Sequence, residues 1–85
     1  MAIVKRKVQK VIDGDTFKVH KNVGGSQYVR IAGVNAPERG QRGYDSAKRR
    51  LSRMTGKTIS IKPVGRSYGR TVAHVPYAKR LMKRR

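Results

Sequence analysis

Only four acidic residues stand among the 22 lysines and arginines of this 85-residue chain, and three of them, Asp13, Asp15 and Glu38, fall in two short stretches. The first stretch is V-I-D-G-D-T at Val11–Thr16 and the second is R-I-A-G-V-N-A-P-E at Arg30–Glu38. In the second, an arginine closes an apolar run, and Gly33 and Pro37 bracket a tight turn carrying Asn35 and Glu38. Such a turn delivers polar side chains from a rigid strand end. Carboxylates can ligate a hard cation or align a water molecule. Inside so positive a surface each would also repel an anionic partner, so their placement asks for a chemical role.

The partner class follows from charge. A formal charge of +18 predicts salt-dependent attraction to a polyanion, with nucleic acid, DNA or RNA, as the leading partner. A chain of 85 residues makes one domain with a small core and leaves no room for a second. With no cysteine, neither disulfides nor thiolate metal sites support it. The N-terminus M-A-I-V-K-R-K-V breaks its apolar residues with charge, so neither a secretory signal nor a membrane span is expected, and the default compartment is the cytoplasm. The chain is expected to act as a monomer without membrane contact.

The elements that must position the acidic turns can be read from periodicity. Residues 2–12 mix apolar residues with Lys and Arg as a strand with one solvated face, and Thr16–His20 and Gln27–Ile31 read as two more strands; a turn at Asp13–Asp15, with Gly14 free to take positive φ, and a hairpin loop at Asn22–Gly25 join them. After a Gly- and Arg-rich loop, Asp45 is placed to cap a helix running to Thr55 with Gly56 as its stop. Ala47, Leu51 and Met54 form its apolar stripe, and Lys48, Arg49, Arg50 and Arg53 face water. Thr58–Lys62 reads as a fourth strand stopped by Pro63, a turn-like G-R-S-Y-G-R follows, and Thr71–Val75 is a fifth strand ended by Pro76. Five strands with a helix between the third and fourth is the order of an oligonucleotide-binding (OB-fold) barrel, a mainly β fold; an SH3-like barrel is the runner-up. The barrel domain is expected over residues 1–76, with residues 77–85 as a basic tail that either docks through Tyr77, Leu81 and Met82 or is disordered.

Three spaced motifs, V-I-D-G-D-T, V-R-I-A-G-V-N-A-P-E and Y-G-R at Tyr68–Arg70, arranged around a helix, resemble the thermonuclease (staphylococcal nuclease) family over residues 8–75. The resemblance implies the OB fold and a calcium-dependent phosphodiesterase acting on DNA and RNA. It implies metal ligands at Asp15, at Asn35 and at the backbone carbonyl of Ala36, a general base or water-orienting group at Glu38, and phosphate-clamping arginines at Arg30 and Arg70. Elementary chemistry agrees: a phosphodiester gains negative charge as water adds, which suits a hard cation and two guanidinium forks. Asn35 stands where the family often carries Asp, so a weaker metal site is expected, and fuller members carry more helical sequence past the fifth strand.

Every one of these residues has a plainer reading. Asp13 and Asp15 fit ordinary turns that bond their own backbone, and Glu38 fits a loop carboxylate paired with Arg39 or Arg42. Arg30 and Arg70 fit solvated arginines, and His20 and His74 fit strand residues without a ligand role. Tyr28, Tyr44, Tyr68 and Tyr77 fit half-buried core or rim positions, with Tyr68 beside Arg70 the one placed to stack on a base. Lys79, Arg80, Lys83, Arg84 and Arg85 supply a basic tail for nucleic acid. The rival to the nuclease is a basic OB-fold barrel that binds nucleic acid without catalysis, and a ribosome-associated or packaging protein is a third reading.

Overall fold

The structure, a computed structural model, describes residues 3–82. Alternation of apolar and basic residues builds β1 (Val4–Asp13), β2 (Thr16–Val23) and β3 (Ser26–Ile31), which form an antiparallel meander. Gly24 and Gly25, both at positive φ, turn β2 into β3. After α1 (Tyr44–Leu51) and one 3-10 turn (Ser52–Met54) come β4 (Thr58–Ser67), β5 (Arg70–His74) and α2 (Pro76–Met82). The strands close into a barrel in the order β1-β2-β3-β5-β4, with β5 parallel to β3 and every other pairing antiparallel. This mainly β, closed five-stranded barrel is the expected architecture, with the first helix between the third and fourth strands.

The inward-facing residues of each strand, among them Val8, Phe17, Val19, Val29, Ile31, Ile61 and Ala73, form one core. Leu51 and Met54, two of the three residues of the anticipated helix stripe, are fully buried in it, whereas Ala47 is half-buried. The backbone amide of Gly56 donates to the carbonyl of Val8 and the amide of Val8 to the carbonyl of Lys57, so the segment after the helix is tied to β1. In α2, Ala78 is buried and Tyr77 and Leu81 pack against the core. The start of the expected tail therefore docks as a helix. No helix among the described residues is long and apolar enough to cross a membrane.

Three local expectations need correction, and one conformational freedom goes unused. Asp45 does not cap α1: the helix begins one residue earlier, with Gly43 at its N-cap in a left-handed conformation and no side-chain cap bond. Asp45 instead sits in the first turn, where a carboxylate complements the helix dipole. The α-helix ends at Leu51 rather than Thr55, where the Ser52 hydroxyl donates to the Lys48 carbonyl and the chain tightens into the 3-10 turn. Pro63 does not stop β4. It sits at an irregularity in the β4–β5 register, beyond the Val4–Ile61 pair where β1 leaves the other edge, so no ladder bond requires its missing amide hydrogen. Gly14 is not among the positive-φ residues; its role is steric, as described next.

Candidate active site

The β1–β2 turn, the end of β3, the loop after it and the start of β5 meet around one cleft of about 470 Å³. It is lined by Asp13, Asp15, Arg30, Ala36, Pro37, Glu38, Arg39 and Arg70. Ladder register explains the convergence. Thr16 pairs with Arg30 across β2 and β3, and the amide of Ile31 donates to the carbonyl of Asp15 at 2.8 Å, fixing the acidic turn to the end of β3. The parallel β3–β5 ladder, through the Val29–Thr71 pair, brings the start of β5 alongside.

Gly14 packs the acidic turn against its neighbours. A Cβ built on it would lie 2.7 Å from Cβ of Ala36 and 2.9 Å from Cβ of Ala47, closer than side-chain carbons approach. Only glycine lets the acidic turn pack this tightly against both the Asn35–Glu38 loop and α1. A second tie comes from Tyr44, buried at the start of α1, whose hydroxyl donates to Oδ1 of Asp13 at 2.8 Å. Asp13 thus ties the turn to α1 through Tyr44, with no bond to its own turn backbone among the described residues, while also lining the cleft.

The two arginines are engaged differently. Arg30 donates to the carbonyls of Ile31 (3.0 Å) and Val34 (3.2 Å), and its Nη2 lies 3.5 Å from Oδ2 of Asp15. It therefore shapes the loop that follows it and neutralises Asp15 at the same time. Arg70 donates through Nη1 to the hydroxyl of Thr16 at 3.2 Å, and that hydroxyl donates to Oδ1 of Asp15 at 2.9 Å. Thr16 is 2% exposed although it sits on the outer side of β2. It links the arginine of β5 to the acid of the hairpin, a role that its place in D-G-D-T did not reveal, because the partner comes from a strand far along the chain.

Glu38 is exposed, and among the described residues its carboxylate has no hydrogen-bond or ion-pair partner, so the pairing with Arg39 or Arg42 is not formed. Its backbone is held: the amide of Glu38 donates to Oε1 of Gln41 at 2.7 Å, and the amide of Gln41 donates to the carbonyl of Glu38 at 2.9 Å. The loop thus presents an unoccupied carboxylate from a fixed main chain. Gln41 was not anticipated as its support.

Of the other anticipated positions, Ala36 lines the cleft, but Asn35 is exposed and does not. Oxygen donors suit a hard cation. Yet among the described residues no three His, Asp or Glu side chains converge closely enough to hold a metal by themselves. His20 and His74 are exposed strand residues. Tyr68 is not half-buried as a rim residue would be. It is 94% exposed and has φ 51, a left-handed conformation that bulky residues seldom adopt. Lys79 and Arg80 lie on α2 outside the cleft, Arg80 stacking over the Tyr77 ring at 5.5 Å. Lys83, Arg84 and Arg85 fall outside the described residues. No protein-family model matches the chain, and no curated protein matches it either.

Proposed function

We propose that this protein is a small metal-dependent nuclease of the thermonuclease type, hydrolysing phosphodiester bonds of DNA or RNA. The observation that carries this reading is that Asp15, Arg30, Glu38 and Arg70, four residues separated widely along the chain, line one cleft. A pure nucleic-acid binder has no use for carboxylates facing such a cleft, because each repels phosphate.

In this reading Arg30 and Arg70 take the non-bridging oxygens of the scissile phosphate, and their guanidinium donors strengthen as charge builds on those oxygens. Thr16 steadies Arg70 from behind, and the bonds of Arg30 to the Ile31 and Val34 carbonyls keep its fork aimed. The unpaired carboxylate of Glu38 accepts a proton from the attacking water. The water oxygen bonds to phosphorus, the ester bond opposite breaks, and the departing oxygen is protonated from solvent. A divalent cation, calcium by the family resemblance, would be held by the carboxylate of Asp15 and the backbone carbonyl of Ala36, which line the cleft. When bound it polarises the phosphoryl oxygen.

The second reading, a basic barrel that binds nucleic acid without cutting it, is favoured by the 3.5 Å contact of Arg30 with Asp15 and by the exposed position of Asn35, both of which weaken a cation site. One experiment separates the two: cleavage of labelled single-stranded DNA, duplex DNA and RNA at low salt, with calcium or with chelator, by the parent and by Glu38→Gln. The nuclease reading expects cation-dependent cutting that the substitution lowers by about a hundredfold or more while binding is kept. If both proteins bind equally and neither cuts in calcium, magnesium or manganese, the binding reading replaces it.

A further inference from the structure

On the outer surface of the barrel a row of residues leads into the cleft. Lys10 of β1 pairs with Lys18 of β2, and Lys18 pairs with Tyr28 of β3. Tyr28 and Arg70 each precede the Val29–Thr71 pair of the parallel ladder, so Arg70 stands beside Tyr28 at the next position of the row. Val29 and Thr71 face the core, which directs Tyr28 and Arg70 outward. Arg30 lies two residues beyond Tyr28 on the same face of β3, about 7 Å along the strand. Tyr28 is thus flanked by Lys18 on one side and by Arg70 on the other, with Arg30 farther along its own strand.

Tyr28 is 40% exposed, and the Lys18 ammonium lies 5.6 Å from its ring centroid. It is an aromatic plane set between Lys18 and Arg70, and Arg70 lines the cleft. Cation–π contacts at exposed sites are weak, so Lys18 can leave the ring for a phosphate while a base takes its place. Aromatic planes interleaved with cations are the means by which single strands are held without sequence preference.

We propose that Lys10, Lys18 and Tyr28 form a track for single-stranded nucleic acid, in which a base next to the scissile phosphate stacks on Tyr28 while Lys18 and Lys10 hold the neighbouring phosphates. The inference rests on the nucleic-acid reading of the cleft and deepens it, since it makes the unpaired strand the preferred substrate. A base inside a duplex is already paired and stacked on both faces and has none to offer the ring. Duplex DNA then reaches the protein only through its phosphates.

The test measures binding, so it does not depend on cleavage. Affinities for a short fluorescent oligothymidylate and for a matched duplex are measured at about 50 mM salt, in the full chain carrying Glu38→Gln to prevent cutting. Tyr28→Ala is expected to weaken single-strand binding roughly 5- to 100-fold, the loss of one base–aromatic stack, and to leave duplex affinity unchanged. Tyr28→Phe and Tyr28→Trp should keep the single-strand affinity. The chain has no tryptophan of its own, so the indole of Tyr28→Trp is the sole such fluorophore, and bound oligothymidylate should quench it. Equal loss for single strand and duplex, no loss in Tyr28→Ala, or an indole emission indifferent to saturating oligothymidylate would each overturn the track. Cutting assays on the parent report separately: a protein that stacks single strands but never cuts overturns the nuclease reading alone.

Discussion

Replacing Gly14 with alanine is the sharpest probe of how this cleft is assembled. The added Cβ would start 2.7 Å from Cβ of Ala36 and 2.9 Å from Cβ of Ala47, and neither neighbour can swing aside, because a Cβ moves only with its backbone. Restoring ordinary contact of about 3.6 Å requires the hairpin turn and the Asn35–Glu38 loop to separate by roughly 1 Å. Overpacking of this kind typically costs about 1–3 kcal/mol. For a domain of this size that lowers Tm by roughly 5–20 °C, read by circular dichroism at constant salt. The same separation displaces Glu38 from Asp15 and the arginines, and a misplacement of about 1 Å reduces turnover by around a hundredfold. The double substitution Gly14→Ala with Ala36→Gly removes the closer clash and should recover part of the stability, giving a coupling of about 1 kcal/mol in a double-mutant cycle. A glycine kept for positive φ would behave otherwise, tolerating asparagine and gaining nothing from Ala36→Gly. Tm unchanged in Gly14→Ala, or no coupling with Ala36→Gly, would refute the close-approach argument.

Two other substitutions separate positioning from folding. Arg30→Lys keeps the charge but loses the planar fork that reaches both the Ile31 and Val34 carbonyls, so cleavage should fall by about a hundredfold. Amide exchange over residues 32–38 should quicken as well, and unchanged exchange would show that Arg30 does not order the loop. Leu51→Ala empties a fully buried site in the helix that closes the core and should cost about 2–5 kcal/mol, seen as a Tm lowered by roughly 10–30 °C. A loss under about 1 kcal/mol would mean that the core collapses around the gap.

Much of this molecule is local in origin and therefore legible along the chain. Period-two alternation marks β2 and β3, because each strand has one face on the core and one in water, while β1 mixes apolar and basic residues across an irregular register; the stripe ending in Leu51 and Met54 marks the helix. Asp15, Arg30, Glu38 and Arg70 were singled out through the resemblance of their motifs, and they line one cleft. Where local rules compete, the sequence was a poorer guide. Asp45 could cap a helix, but the helix starts at Tyr44 because that ring is buried and its hydroxyl bonds Asp13. A proline breaks a strand that is paired on both edges, but at Pro63 the edge of β4 that faced β1 is already free, so the strand continues.

What tertiary structure alone decided is everything that depends on contact between distant segments. The reason for Gly14 lies in Ala36 and Ala47, the burial of Thr16 in Arg70, and the exposure of Asn35 in how the loop is pinned by Arg30. The row joining Lys10, Lys18 and Tyr28 to Arg70 exists only because β5 pairs in parallel with β3, a choice made by barrel closure. Composition alone carries the expectation of a polyanion partner, since a charge of +18 needs no fold to be felt at a distance. Which of those charges converge on one cleft is a matter of ladder register, and register is settled by the packing of the whole barrel.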